Sequence, residues 1–366
     1  MGRSNRRGES AAGIRTSGIR TTGLRVVLAW AFALMTVGAS AASPLERGNP
    51  TFRLPGTDAA SEYWDFIARL DTGHLVLSRF SVTNEGPGER TAYMIGHVVF
   101  PDGRTVQFEK GKRDGEWRLT DDGLFIGVGD NFIDHRGVVR RMKIDRRSIV
   151  IDLLYKPDEP VGLASPVHRG VYWVDVLHTG APVKGTLFVP GMDAPIAVRG
   201  SIASTHTWMT ESEPDVALRR VEVFSLDRRT GVYLQDVATP QGDRHRWLVV
   251  EEAGRELLRT DRFDLRFEGR NGALGADYPV PARLVISGPH VEGEIELGRV
   301  LASDDPMRVV PQPFRFLLSF KMKPRRLWAD APFEITIKNP PGVGARSVSG
   351  TGLLAIMFTN PAPGLR

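Results

Sequence analysis

Beyond residue 60 the chain reads as a succession of short strands. In Arg220-Val221-Glu222-Val223 polar and apolar residues alternate with period two, the pattern of a strand with one wet face and one dry one. Ala92–Phe100 and Thr105–Phe108 lie either side of Pro101-Asp102-Gly103, a tight-turn signature. Val138–Ile144 and Ser148–Tyr155 repeat that plan around Asp145-Arg146-Arg147. The second half continues alike, with strands predicted over Arg219–Leu226, Gly231–Val237, Arg283–Ser287, Val291–Leu297, Phe314–Lys321 and Gly352–Phe358, and a hairpin at Gly288-Pro289-His290. A helical period surfaces only near Ala59–Ile67, for a turn or two.

The 39 glycines and 25 prolines are spread through the chain rather than gathered in a linker. Many short strands joined by tight turns predict an all-β protein, and closure into barrels is the arrangement that leaves no edge strand exposed. The 366 residues hold two such barrels of roughly 150–160 residues each after a leader. The expected boundaries are a leader over 1–41, a first domain over 50–198 and a second over 199–366.

That leader changes the charge picture. Arg3, Arg6, Arg7, Arg15, Arg20 and Arg25 precede an apolar run from Val26 to Ala39, and Ala39-Ser40-Ala41 follows as a small-x-small site. The three parts together predict a secretory signal peptide and an exported protein, periplasmic or secreted. The apolar run is short for a bilayer span, so no transmembrane anchor is expected after cleavage. Removal of 1–41 takes six of the 48 cations and one of the 43 acids, leaving a formally neutral remainder. The basic pI of about 9.6 therefore belongs largely to the leader and gives no support to nucleic-acid binding.

Most familiar chemistry is missing. The chain has no cysteine, which removes disulfides, thiolate metal sites and thiol nucleophiles. It has no H-E-x-x-H, no Walker loop and no G-x-S-x-G elbow. The eight histidines fall in no i,i+2 or i,i+4 pair, so no metal and no cofactor are expected.

One stretch is more specific. Trp173-Val174-Asp175 leads through Pro182-Val183-Lys184-Gly185-Thr186-Leu187 to Gly200 and then Thr205-His206-Thr207-Trp208, with Gly231-Val232-Tyr233-Leu234-Gln235-Asp236 beyond. This order resembles the carotenoid 1,2-hydratase family and its relatives, the AttH-type secreted proteins and the yeast survival-factor group, over roughly residues 60–360. The resemblance implies two tandem lipocalin-like (calycin) antiparallel β-barrels. It also implies that His206 and Trp208 match the family's His-x-Trp pair and that Tyr233 matches its tyrosine. The family's acid, two residues beyond that tyrosine, is here Gln235, and the Asp often found before its histidine is Thr205.

Residues two apart on a strand share a face, so Tyr233 goes with Gln235 while Asp236 points away unless a bulge turns it. An amide cannot protonate an alkene. The leading expectation is thus an exported binding or carrier protein for a hydrophobic small molecule, a lipid or isoprenoid, with His206, Trp208, Tyr233 and Gln235 lining its pocket. The alternative is a non-redox hydratase, isomerase or cyclase on a terpenoid or lipid, with His206 and Tyr233 as its catalytic groups. A barrel filled by its own side chains is the third possibility.

Overall fold

The computed structural model describes residues 49–84, 90–157, 163–164, 171–227, 229–253, 255–310, 312–338 and 344–361. The expected leader lies outside them. The described residues form two antiparallel sheets, one following the other along the chain. The first contains β1 (Ser61–Leu70), β2 (Leu75–Thr83), β3 (Thr91–Val99), β4 (Thr105–Lys112), β5 (Arg118–Leu119) and β6 (Phe125–Val128). It continues with β7 (Asn131–Asp134), β8 (Arg140–Arg146), β9 (Ile149–Tyr155), β10 (Leu163–Ala164), β11 (Tyr172–Phe188) and β12 (Ile196–Met209). The second contains β13 (Arg219–Ser225), β14 (Thr230–Ala238), β15 (Arg244–Glu252), β16 (Arg255–Thr260) and β17 (Asp264–Glu268). It ends with β18 (Arg283–Ser287), β19 (Val291–Glu296), β20 (Val300–Asp304), β21 (Arg325–Ile337) and β22 (Arg346–Phe358).

The first sheet runs β4-β3-β2-β1-β12-β11-β9-β8-β7-β6-β5 and curls until β4 nears β6. The second runs β16-β15-β14-β13-β22-β21-β19-β18-β17. Both are lipocalin-like half-barrels wrapped around their own apolar cores, as the strand pattern predicts. The turn at Pro101-Asp102-Gly103 forms as read: Gly103 takes φ +90, a value that only glycine adopts freely, and its N–H donates to the Phe100 carbonyl.

Four sequence expectations need correction. Ala59–Ile67 holds no helix, because Tyr63, Trp64, Phe66 and Ile67 find partners on both faces of β1. Phe314–Lys321 is not a strand: α2 (Gln312–Leu318) and a hydrogen-bonded turn occupy it, since a short apolar run does not by itself declare its period. The chain does not change barrel at 198/199, since β12 passes unbroken through that point and pairs along its length with β11. The passage falls between Met209 and Arg219, across the short α1 (Glu213–Val216). Finally, β13 has no wet face, since all seven of its residues are buried.

That last point locates the contact between the barrels. A third apolar cluster joins Ile67, Leu77, Val99 and Ala203 of the first sheet to Phe224, Tyr233, Trp328 and Leu353 of the second. In β1, Trp64, Phe66 and Ala68 face the interior of the first barrel, while Tyr63, Asp65 and Ile67 face the second. In β13 and β14, Val221, Val223, Val232 and Leu234 face inward, and the residues between them face the first barrel.

Candidate functional site in the cleft between the barrels

The four residues singled out from the sequence fall into two places. His206 and Trp208 share the inner face of β12 with Ile202 and point into the end of the first barrel. Tyr233 and Gln235 share the outer face of β14, between the barrels. Their strand parity is as expected, but each pair belongs to a different barrel, so they do not converge.

The His206 end is tightly closed. Its imidazole is fully buried, stacked on Trp64 at 4.6 Å and tilted against Trp208 at 5.0 Å. Nδ1 lies 2.6 Å from the Asn49 carbonyl and Nε2 lies 2.6 Å from Glu62 Oε1. The carbonyl accepts only, so Nδ1 carries a hydrogen and donates it. Glu62 also accepts from the Arg53 backbone N–H at 2.8 and 2.9 Å. Residues 49–53 thus form a strap across this end: the Trp64 indole donates to the Pro50 carbonyl at 3.0 Å, and the Arg53 guanidinium lies 4.7 Å from the Trp208 ring. Trp173 stacks on the other side of Trp208 at 5.6 Å. Every polar atom of His206 is spoken for.

The outer face is different. Glu222 lies opposite Gln235 in the β13–β14 ladder, with the Gln235 amide nitrogen 3.5 Å from Glu222 Oε1. Tyr233 donates its hydroxyl to the same oxygen at 3.3 Å. Arg220 Nε lies 3.2 Å from Glu222 Oε2, and Arg220 Nη1 donates to the hydroxyls of Tyr63 and Tyr172. A carboxylate thus stands beside position 235, on the neighbouring strand. Three phenols, one carboxylate and one guanidinium meet in a site walled by both barrels.

Around them runs a balanced ion network. Asp65 takes two hydrogen bonds from Arg79, at 2.7 and 2.6 Å, and lies 3.6 Å from Arg220 and 3.8 Å from Arg326. Arg326 also donates to Asp304 at 3.0 Å, and His97 Nε2 sits 3.4 Å from the same carboxylate. Burial alone would raise the Asp304 pKa, but Arg326 and His97 outweigh it and hold the group well below the usual carboxylate range. Burial and then Glu222 push the Tyr172 and Tyr233 phenols well above their ordinary value, so both remain protonated donors.

Two neighbouring spaces adjoin this cluster. An inner cavity of about 20 Å³, the size of one water, is lined by Asp65, Arg79, Arg220, Glu222 and Phe224 among others. An outer chamber of about 140 Å³ has largely apolar walls that include Tyr63, Tyr93, Ile95, Met307, Leu318 and Met322. Arg79, Arg326 and Met357 line both.

Asp236 points away from all of this. It is fully buried on the inner side of the second barrel, 3.3 Å from Arg219, 2.8 Å from Arg244 and 3.3 Å from Arg246, and the β13–β14 register carries no bulge that would turn it. Among the described residues no group of three or more His, Cys, Asp or Glu side chains is placed to hold a metal ion.

Sequence reasoning missed Glu222, Arg220, Tyr63 and Tyr172. Their signal was present, since Arg220 and Glu222 stood out as the polar face of a strand. What the sequence did not carry was that a second barrel covers that face.

No protein-family model matches the chain, and no curated protein matches it. Solved structures do share its fold. An AttH-type protein from Nitrosomonas europaea superposes with a TM-score of 0.58 at 14% identity, over 85% of this chain and 98% of that one. Kievitone hydratase from Nectria haematococca gives a TM-score of 0.56 at 12% identity, over 88% and 95%. CghA in complex with Sch210972 gives 0.59 at 11% identity, over 87% and 96%. The chain therefore shares the tandem lipocalin-like fold of these structures.

Proposed function

We propose that this protein is a non-redox enzyme of the hydratase, isomerase or cyclase kind, acting on an apolar isoprenoid or lipid held between its barrels. The observation that carries this reading is Glu222, a buried carboxylate in contact with Tyr233 and Gln235 at the edge of a water-sized cavity. A cavity on which several polar side chains converge is the default candidate for a binding or active site. The fold neighbours lean the same way, since one of them is itself a hydratase.

The division of labour follows from the geometry. The outer chamber takes the apolar body of the substrate against its walls of Met, Leu, Ile and Tyr. Glu222 moves the proton: it takes one from, or returns one to, the substrate or a water in the inner cavity. In a hydration, water supplies OH to one carbon and H to the other, so the carboxylate ends each turnover as it began. Tyr233 and Tyr172, kept protonated by burial, donate hydrogen bonds to a substrate oxygen. Arg220 fixes the Glu222 carboxylate and the Tyr63 and Tyr172 hydroxyls in one geometry.

The carrier reading keeps the same ligand class but loses its proposed pocket wall at His206, whose ring is committed to Asn49 and Glu62. Export through the 1–41 leader belongs to the same proposal. The test is product analysis by mass spectrometry after incubating wild type and Glu222→Gln with acyclic isoprenoids and polyunsaturated fatty acids, without redox cofactor. Conversion by wild type and its loss in Glu222→Gln support the enzyme. Tight binding without conversion returns the protein to a carrier.

A further inference from the structure

We propose that the crest formed by residues 306–310 and 312–325 docks the protein on an anionic lipid bilayer, with the mouth of the inter-barrel cleft facing the membrane. Six large apolar side chains are exposed among the described residues, and three of them, Phe316, Leu317 and Phe320, fall within five positions of one another at 62%, 62% and 77% exposure. Phe316 and Phe320 meet edge to face at 5.0 Å, making a single apolar knob. The knob stands on α2 and its closing turn, where Ser319 N–H bonds back to Arg315 and Met322 N–H to Leu318. Clustered exposed apolar groups of this kind mark an interaction surface rather than ordinary surface variation.

Charge selects the partner. From Pro306 to Ala329 the sequence has six cations, Arg308, Arg315, Lys321, Lys323, Arg325 and Arg326, and no acid. Arg326 turns inward to Asp304. Arg315 and Arg325 share Asp305, and Lys321 lies 3.5 Å from Asp215, so positive charge remains in excess around the knob, with Arg308, Lys321 and Lys323 exposed. Phe and Leu on one side with Lys and Arg around them is the composition of a segment that lies in the interface of an anionic membrane. No helix among the described residues is long and apolar enough to cross a bilayer, so the crest lies on the surface and does not span it.

The inner side of the crest supplies the second observation. Pro306, Met307, Val310, Leu318, Met322 and Pro324 line the outer chamber of the cleft. One segment therefore presents an apolar knob outward and an apolar chamber wall inward. A ligand dissolved in the bilayer would pass from acyl chains to the chamber along that segment without crossing water. The docking does not depend on which reaction, if any, the cleft carries.

The test is co-flotation of the full chain with vesicles of phosphatidylcholine alone and of phosphatidylcholine mixed with phosphatidylglycerol. Hydrogen–deuterium exchange over 312–322 is followed in parallel, which reads the crest whatever the leader does. Wild type is expected to float with the mixed vesicles, to release as salt rises, and to gain exchange protection at 312–322. Phe316→Asp/Phe320→Asp is expected to weaken flotation about tenfold or more, and Lys321→Gln/Lys323→Gln to weaken it only on anionic vesicles. Unchanged exchange at 312–322, or flotation indifferent to both double variants, overturns the proposal. So does concentration-dependent self-association that Phe316→Asp/Phe320→Asp abolishes while vesicles are ignored, which would assign the knob to a second copy of the chain.

Discussion

Gln235 sits opposite Glu222 across the β13–β14 ladder, its amide nitrogen 3.5 Å from the Glu222 carboxylate. In this geometry Gln235→Asp does not simply restore an acid. It sets two carboxylates side by side in a buried site, where like charges cannot both ionise and one pKa rises. If the cleft is catalytic, the variant is expected to shift the pH–rate profile, with one limb moving to higher pH, rather than to create activity from nothing. A profile superimposable on wild type would separate position 235 from the chemistry.

Removal of the proton-transferring group itself has a larger effect. Glu222→Gln is expected to lower turnover by about 10²–10⁴-fold, and Tyr233→Phe by roughly 10²-fold through loss of a preorganised donor. Both are near-isosteric, so the thermal midpoint checks that they fold. Turnover within a factor of a few of wild type in both would move the chemistry elsewhere.

His206→Ala acts on stability. It removes the side-chain partner of the buried Glu62, which among the described residues keeps the Arg53 backbone N–H, and a buried polar group left without its partner costs about 1–3 kcal/mol. Urea denaturation reads this directly. A small stability change together with a large loss of ligand affinity would put His206 back in a binding site.

Acid sensitivity should come partly from His178. Burial lowers its pKa from about 6.5 to about 3, with the nearby Arg140 pushing the same way. The unfolded chain therefore binds a proton that the folded one rejects. Stability contributed by the neutral ring is complete above about pH 6.5 and drains away as pH falls through the window down to about 3. His178→Phe is expected to flatten the pH dependence of the urea midpoint in that window, and an unchanged slope would contradict it.

The succession of strands was legible because period-two alternation and turn residues are local properties, and Pro101-Asp102-Gly103 or Gly288-Pro289-His290 declare themselves in three letters. The parity of Tyr233, Gln235 and Asp236 was legible for the same reason. Which surface each parity faces was not. His206 and Tyr233 look alike along the chain, yet one points into its own barrel and the other out toward its neighbour. Glu222 was read as solvated because polar alternation cannot distinguish water from a second sheet. The apolar density of Phe314–Lys321 resembles a strand, whereas Phe316, Leu317 and Phe320 stand exposed on a short helix and the turn that follows it.

The central claim is that the ligand lies between the barrels rather than inside the first one. A photoreactive isoprenoid analogue, cross-linked to the protein and mapped by peptide mass spectrometry, tests it most directly. Labelling on the walls of the outer chamber, at Tyr93, Met307, Met322 or Met357, and its loss on competition with the unmodified isoprenoid, is the result expected. Labelling concentrated at Trp173 and Trp208, at the strapped end of the first barrel, would contradict it.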